Sequence, residues 1–308
     1  MTKIAVIGTG AMGSVYAGLL ADAGHDVWAI DRWSEHVEAM NRTGLRVQGA
    51  SGDRNATLHA SVNAADAGIC DLVVLATKAA DVSSAAESAK ALMSPKTLVL
   101  AIQNGLGSAD KVVDVLGTGQ VLIGVVGGFG ASIVAPGHVH HNGWELLHLG
   151  ELYGPATSRL RDVADVWRSA GFSVETYDDV KRMVWEKFIC NVCFSGVCTL
   201  TGLTIGEVIA DPEAWRVASG CATEAWQVAR AMNIDVAIDD PVAYVRAFGE
   251  KIPAARPSML LDNLAKRRSE IDVINGAVPV QAKQVGLSAP YNEVVSLLIR
   301  HRERQFPQ

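Results

Sequence analysis

Apolar and polar positions divide the 308-residue chain into two stretches of different period. Up to about residue 178, short apolar runs rich in β-branched residues alternate with segments of helical character. Residues 3–7, 25–30, 71–76, 97–102 and 121–126 read as buried strands. Residues 14–21, 34–40, 82–93 and 159–170 read as helices. Ser34 is the expected N-cap of the second helix, and Gly44 its stop. Residues 45–62 alternate and are turn-rich, predicting a small hairpin with Gly52-Asp53 in its turn. The glycine-rich stretch 127–154 predicts late, antiparallel strands, and 172–175 a closing one. Such alternation of strand and helix implies an α/β domain with a doubly wound parallel sheet.

From about residue 179 the strand signals stop. Amphipathic segments follow at 180–197, 213–232, 241–248, 258–267, 271–285 and 292–302, with Pro257 placed as for a helix entry. The expected organisation is therefore an α/β domain over 1–178 and an all-α domain over 179–308.

Composition narrows this picture. A net charge of −6 gives no electrostatic footprint for nucleic acid. The first residues lack the basic, apolar, small-residue order of an export signal. The longest apolar stretch, 121–135, is broken by glycines and too short to span a bilayer. Five cysteines are an odd number, and free thiols are expected. These points predict a cytoplasmic protein without membrane or nucleic-acid partners.

The first strand runs into Gly8-Thr9-Gly10-Ala11-Met12-Gly13 and then into a helix. Strand, G-x-G-x-x-G and helix form the context of a dinucleotide-binding, Rossmann-like domain. Gly8 permits the tight turn, Gly10 lets a pyrophosphate approach the backbone, and Gly13 lets the helix pack close to the strand. The phosphates would meet the free N–H groups at the helix start, which place Thr9, Ala11 and Met12 in the site. The second strand ends at Asp31, 18 residues after Gly13 and near the spacing at which an acid meets the adenosine ribose. Arg32 follows it and could instead fork onto a 2′-phosphate. Asp31 argues for NAD(H) and Arg32 for NADP(H), and the two residues pull in opposite directions. Lys78 and Asn104 follow strands, at the end of the sheet where ligands bind.

In the first helix of the second domain, Lys187, Asn191 and Ser195 stand at i, i+4 and i+8 and share one face. A polar stripe on an otherwise apolar helix needs partners or a ligand. Cys190 and Cys193 form a CxxC without a second pair, so they read as buried helix cysteines rather than a metal site. His138, His140 and His141 read as structural, and Lys266-Arg267-Arg268 as a solvated face. Cys193-Phe194-Ser195-Gly196 lacks the first glycine of a nucleophile elbow. Residues 269–276 are expected to open a helix, with Glu270 in its first turn.

Taken together, Gly8-x-Gly10-x-x-Gly13, Thr77-Lys78, Gln103-Asn104-Gly105, Lys187 with Asn191, Ser258-Met259-Leu260 and Glu270-Ile271-Asp272-x-Ile274-Asn275-Gly276 resemble the ketopantoate reductase (2-dehydropantoate 2-reductase) family over nearly the whole chain. The resemblance implies an α/β cofactor domain, an α-helical substrate and dimerisation domain, and a small 2-oxo acid between them, in a homodimer. It implies NADPH as hydride donor, Lys187 as the general acid that protonates the carbonyl oxygen, and Glu270 as the residue orienting the substrate or Lys187. Asn104, Asn191, Ser195 and Ser258 would hold the substrate, and Lys78 and Asn104 would lie by the cofactor. The chain departs from the family pattern where asparagines are usual, at Ser195, around Ile205 and at Ala255. Losing three hydrogen bonds of roughly 1 kcal/mol each would weaken ketopantoate binding on the order of a hundredfold. Arg256 could hold a carboxylate instead. The stretch 30–37 is also similar to the D-mandelate dehydrogenase branch, which takes bulkier, less polar 2-oxo acids. Ketopantoate reduction is thus the leading expectation, a D-2-hydroxyacid dehydrogenase the second. A cofactor-binding sensor without turnover is the third.

Overall fold

The structure, a computed structural model, describes residues 1–128, 130–143 and 146–307. It divides into two compact units, Met1–Gln103 with Gly107–Val180 and Asn104–Leu106 with Lys181–Gln308.

In chain order the first unit runs β1 (Lys3–Ile7), α1 (Ala11–Asp22), β2 (Asp26–Ile30), α2 (Ser34–Thr43), β3 (Leu45–Gly49), β4 (Arg54–Ala56), β5 (His59–Ser61) and β6 (Leu72–Leu75). It continues with α3 (Val82–Ala89), β7 (Leu98–Ala101), α4 (Ser108–Leu116), β8 (Val121–Val126), β9 (Gly130–Ala135), β10 (His138–Gly143), β11 (Leu146–Glu151), α5 (Ser158–Ser169) and β12 (Ser173–Tyr177). The main sheet has the order β12-β11-β8-β7-β6-β1-β2-β5. It is parallel from β5 to β8, with β11 antiparallel to β8. The fold is the Rossmann-like α/β arrangement followed by helices. The chain leaves β1 toward β2 on one side and returns as β6 on the other. The strand order therefore reverses between β1 and β6, a switch point of the kind where ligands bind in such sheets.

Helix α1 explains the rest of the unit. Gly13 to Leu20 are all buried, so this helix has no solvent face. One side packs on β1 and β2; the other is covered by a second sheet of order β4-β3-β10-β9. Gly18 makes the contact possible, since a Cβ there would lie 2.5 Å from Val47 Cγ2. The β3–β4 hairpin of that sheet and its antiparallel β9–β10 pair both match the sequence expectation; the joining of the two does not. β10 joins β3 in parallel, with Val139 opposite Val47, both fully buried. β5 belongs not to the hairpin but to the main sheet, where its His59 ring stacks on Trp28 at 4.6 Å.

Ser34 is not the cap of α2. Trp33 occupies that position, and the Trp33 N–H donates to Asp31 Oδ1 at 3.0 Å, so the acid organises the helix entry. Helix α4 had no counterpart in the sequence reading. It opens after Gly105 and Gly107, both at positive φ, which hide its start from a periodicity search.

The second unit contains α6 (Val180–Thr201), α7 (Ile205–Ala210), α8 (Pro212–Ala231), α9 (Pro241–Lys251), α10 (Ser258–Leu264), α11 (Ala277–Gln284) and α12 (Pro290–Glu303). α7 was not anticipated; a capping box between Thr204 and Glu207 starts it. α6 is long and apolar enough to cross a membrane, yet 72% of its most apolar window is buried in the structure. Cys190, Cys193, Cys198 and Cys221 are buried free thiols, as is Cys70 in the first unit. The α12 N-terminus is tied to α8 by Glu224, whose carboxylate accepts from the backbone N–H groups of Tyr291 and Asn292 at 2.8 and 3.0 Å.

The expected helix over 271–285 begins only at Ala277, and Glu270 lies in a bend before it. The reason is a diverted carbonyl. Val273 O accepts from Leu106 N–H at 2.9 Å, while Ala277 N–H bonds Ile274 O instead, so residues 271–276 form turns.

The glycine loop yields a stability contrast. A Cβ on Gly13 would stand 2.0 Å from Gly8 O, whereas one on Gly10 would meet nothing within 4 Å. Gly13→Ala is expected to cost about 1–3 kcal/mol in urea unfolding, and Gly10→Ala under roughly 0.5 kcal/mol. Equal stability of the two variants would contradict this loop geometry.

Candidate functional site

Lys187, the general acid expected from the sequence, lies in the second unit. It sits in the second turn of α6, half-buried, with its Nζ donating to Asn104 Oδ1 at 2.8 Å. The amide nitrogen of Asn104 donates in turn to Glu270 Oε2 at 3.3 Å. Asn104 thus stands between an ammonium and a carboxylate, accepting from one and donating to the other. Burial pushes the Lys187 ammonium down from 10.5 to about 8, while the Glu270 carboxylate pulls it back up. A lysine in that range can give up a proton near neutral pH.

Local structure explains how three residues so far apart in sequence meet. Gly105 has φ +81°, and a Cβ there would be 2.2 Å from Val273 O. Only glycine lets segment 104–106 lie against the turn that carries Glu270. That turn is fastened to α6 from the other side. Asn275, fully buried, donates to Val192 O at 2.9 Å and to Asn292 Oδ1 at 2.9 Å. The sequence reading used Asn275 and Gly105 only as part of a motif; the structure makes them the brackets of the acid and the amide.

The other residues of the predicted stripe are less engaged. Asn191 is half-buried and Ser195 buried, one and two turns beyond Lys187. Neither side chain has a hydrogen-bond partner among the described residues, which leaves both polar groups available. Ser258 is the exposed first residue of α10. Arg256 is exposed, and its charge bears on the Glu207 carboxylate, which it helps hold below the usual range.

In the first unit, Gly8 has φ +92° and donates its N–H to Ile30 O at 2.8 Å. A Cβ on Gly8 would collide with Thr77 N at 2.6 Å, so the loops after β1 and β6 touch there. Gly8 and Gly13 face protein, and Gly10 faces open space, the arrangement that lets a phosphate reach the backbone. Ala11 and Met12 form the first turn of α1, half-exposed, and Thr9 is fully buried. Lys78 is exposed in the turn after β6. Gln103, after β7, donates to Leu75 O and Thr77 O at 2.6 and 3.2 Å and clamps that turn. Thr9 Oγ1, Thr77 Oγ1, Gln103 Oε1 and Ser108 Oγ are buried without a partner among the described residues. All four lie just after β1, β6 or β7, or at the start of α4, and a polar ligand would satisfy them. These observations fit a dinucleotide.

The two residues that bear on cofactor choice differ in freedom. One carboxylate oxygen of Asp31 is occupied by the Trp33 N–H. The Arg32 side chain is 85% exposed and meets Asp81 only at 3.5 Å.

Comparison with known proteins bears on the whole chain. Residues 4–154 match the family model "Ketopantoate reductase PanE/ApbA", and residues 179–303 match its C-terminal counterpart. A 2-dehydropantoate 2-reductase of Pyrococcus abyssi is 32% identical over 302 residues, 98% of each chain. One of Archaeoglobus fulgidus is 29% identical over 300 residues, 97% of each. Among solved structures, a PanE/ApbA family ketopantoate reductase of Ralstonia eutropha superposes with a TM-score of 0.90 at 33% identity, covering 98% of this chain and 99% of that one. D-mandelate dehydrogenase, in a ternary structure with NADH and anilino(oxo)acetate, also reaches 0.90, at 26% identity and 98% of each chain. With both family models matched and relatives aligned from end to end, the chain belongs to the ketopantoate reductase family.

Proposed function

We propose that the protein is an oxidoreductase acting on CH–OH groups, reducing a 2-oxo acid to a 2-hydroxy acid with NAD(P)H, with 2-dehydropantoate as the leading substrate. The observation that carries this reading is the ammonium of half-buried Lys187 held by Asn104 beside Glu270. The cofactor supplies the hydride when bound in the glycine loop. The chain's own part is to meet the charge that grows on the carbonyl oxygen. Lys187 holds a proton at Nζ and donates it to that oxygen, and its positive charge stabilises the developing alkoxide. Asn104 aims Nζ, and Glu270 keeps the amide turned so that its oxygen faces Lys187. Asn191, Ser195 and Ser258 are proposed to hold the substrate, and Arg256 its carboxylate. A sensor without turnover would leave a lysine with a lowered pKa unexplained.

A second reading has its own support. Ser195, Ile205 and Ala255 supply fewer amides than a polar hydroxylated tail would use, and the D-mandelate dehydrogenase neighbour binds an aryl 2-oxo acid analogue. Following cofactor absorbance over a panel of 2-oxo acids decides between them. Highest kcat/KM with 2-dehydropantoate supports the first reading and a role in cytoplasmic pantothenate biosynthesis. Highest kcat/KM with aromatic or branched acids supports the second, and no oxidation of the cofactor with any acid overturns both.

Lys187→Ala is expected to lower kcat by about two orders of magnitude or more, with cofactor affinity unchanged. The wild-type reduction rate should fall as pH rises through about 8, because the acid form of Lys187 is lost there. Removal of Lys187 should abolish that alkaline limb. A variant with near-normal kcat would take Lys187 out of the mechanism.

For the cofactor we favour NADPH. The exposed Arg32 is held by a long surface pair worth at most about 1 kcal/mol, so it is available to a 2′-phosphate. Arg32→Ala should weaken NADPH far more than NADH, and Asp31→Ala should move preference further toward NADPH. The change is expected to be about ten- to a hundredfold in the kcat/KM ratio. An unchanged ratio in Arg32→Ala would make NADH the cofactor.

We further propose a homodimer through the helical unit. Tyr291, Val294, Leu297 and Leu298 form an apolar stripe on α12, each 38–54% exposed. Sedimentation should report twice the monomer mass, and Leu298→Glu should halve it. A monomeric wild type would refute the proposal.

A further inference from the structure

A buried chain of hydrogen bonds runs from the second sheet to the glycine loop. The backbone N–H of Gly137, in the β9–β10 turn, donates to His36 Nδ1 at 2.9 Å. His36 Nε2 stands 3.0 Å from Ser14 Oγ, and Ser14 Oγ donates to Thr9 O at 2.7 Å. His36, Ser14 and Thr9 are each fully buried. The pattern dictates the proton positions. Nδ1 accepts, so the neutral ring carries its hydrogen on Nε2 and donates it to Ser14, whose single proton is left for Thr9 O. Burial lowers the His36 pKa against the opposing effect of Asp31, and so favours this neutral form.

The end of the chain has a geometric consequence. The peptide between Thr9 and Gly10 is trans, so its C=O and N–H point in opposite directions. With the Thr9 carbonyl tied inward to Ser14, the Gly10 N–H is turned outward, on the residue whose Cβ position faces open space. Without the tie, the peptide could flip and present a carbonyl, the wrong polarity for an anion, to the same space. We propose that His36 and Ser14 are positioning residues of the dinucleotide site: they lock the Thr9–Gly10 peptide so that the Gly10 N–H faces the pyrophosphate. Neither touches the cofactor. This proposal rests on the cofactor reading above.

The test is direct binding by calorimetry of two ligand classes to the full-length protein. ADP-ribose and its 2′-phosphate carry the pyrophosphate; adenosine and 2′-AMP do not. In Ser14→Ala and His36→Ala, Kd for the first class should rise about tenfold while that for the second stays within about twofold of wild type. His36→Gln, whose amide nitrogen reaches the place of Nε2, should recover most of the affinity that His36→Ala loses. With NAD(P)H and substrate, KM for the cofactor should rise with kcat nearly unchanged. Equal loss for both ligand classes would mean that the variants merely distort the unit, and no loss in either alanine variant would mean that the peptide needs no lock; either result overturns the assignment. A wild-type protein that binds none of the four ligands overturns the cofactor reading together with it.

Discussion

An ammonium taken out of water is the constraint on which the second unit depends. Burying an unpaired lysine is costly enough that such groups lose their proton or find partners. Lys187 does some of each. Its pKa falls to about 8, and its Nζ is held by Asn104 beside the Glu270 carboxylate. The irregular features of this unit serve that arrangement. Gly105 admits the segment that carries Asn104, the diverted Val273 carbonyl keeps 270–276 out of a helix, and Asn275 bolts the turn to α6. A regular helix through Glu270 would leave Val273 O to Ala277 and remove the anchor of Leu106.

The first unit meets a different constraint, an open glycine loop at Gly10 in front of a helix that stays dry. α1 is buried on all sides, so it needs two sheets, and the second is assembled from strands far apart in sequence. The same burial makes an unpaired polar group costly, and Ser14 and His36 satisfy the Thr9 carbonyl and each other in series. Four of the buried polar atoms without a partner among the described residues, Thr9 Oγ1, Thr77 Oγ1, Gln103 Oε1 and Ser108 Oγ, lie after β1, β6 and β7 and at the start of α4, where a ligand would complete them.

Much was legible before any coordinates. The strand, glycine loop and helix at the start, the parallel core strands and the all-helical second part were readable because each depends on local period or on glycine at a fixed spacing. Lys187, Asn104 and Glu270 were all picked out, from a resemblance spread over separated motifs. Their meeting was not readable from any one stretch: positions 104, 187 and 270 are separated by 83 residues in each interval, and contact at such range leaves no local trace.

The sequence by itself determined the class of fold and the place of the glycine loop between β1 and α1, because those follow from nearest-neighbour periodicity and from what glycine alone can do. Tertiary structure decided the partners. It moved the cap of α2 from Ser34 to an Asp31 bond, sent β5 to the main sheet and β9 and β10 to the second, and opened α4 and α7 where no stripe announced them. It also turned residues 271–276 from helix to turn. In each case a hydrogen-bonding group found a better acceptor, or an apolar face a better cover, far along the chain, and local propensity, worth only a fraction of a kcal/mol per residue, gave way.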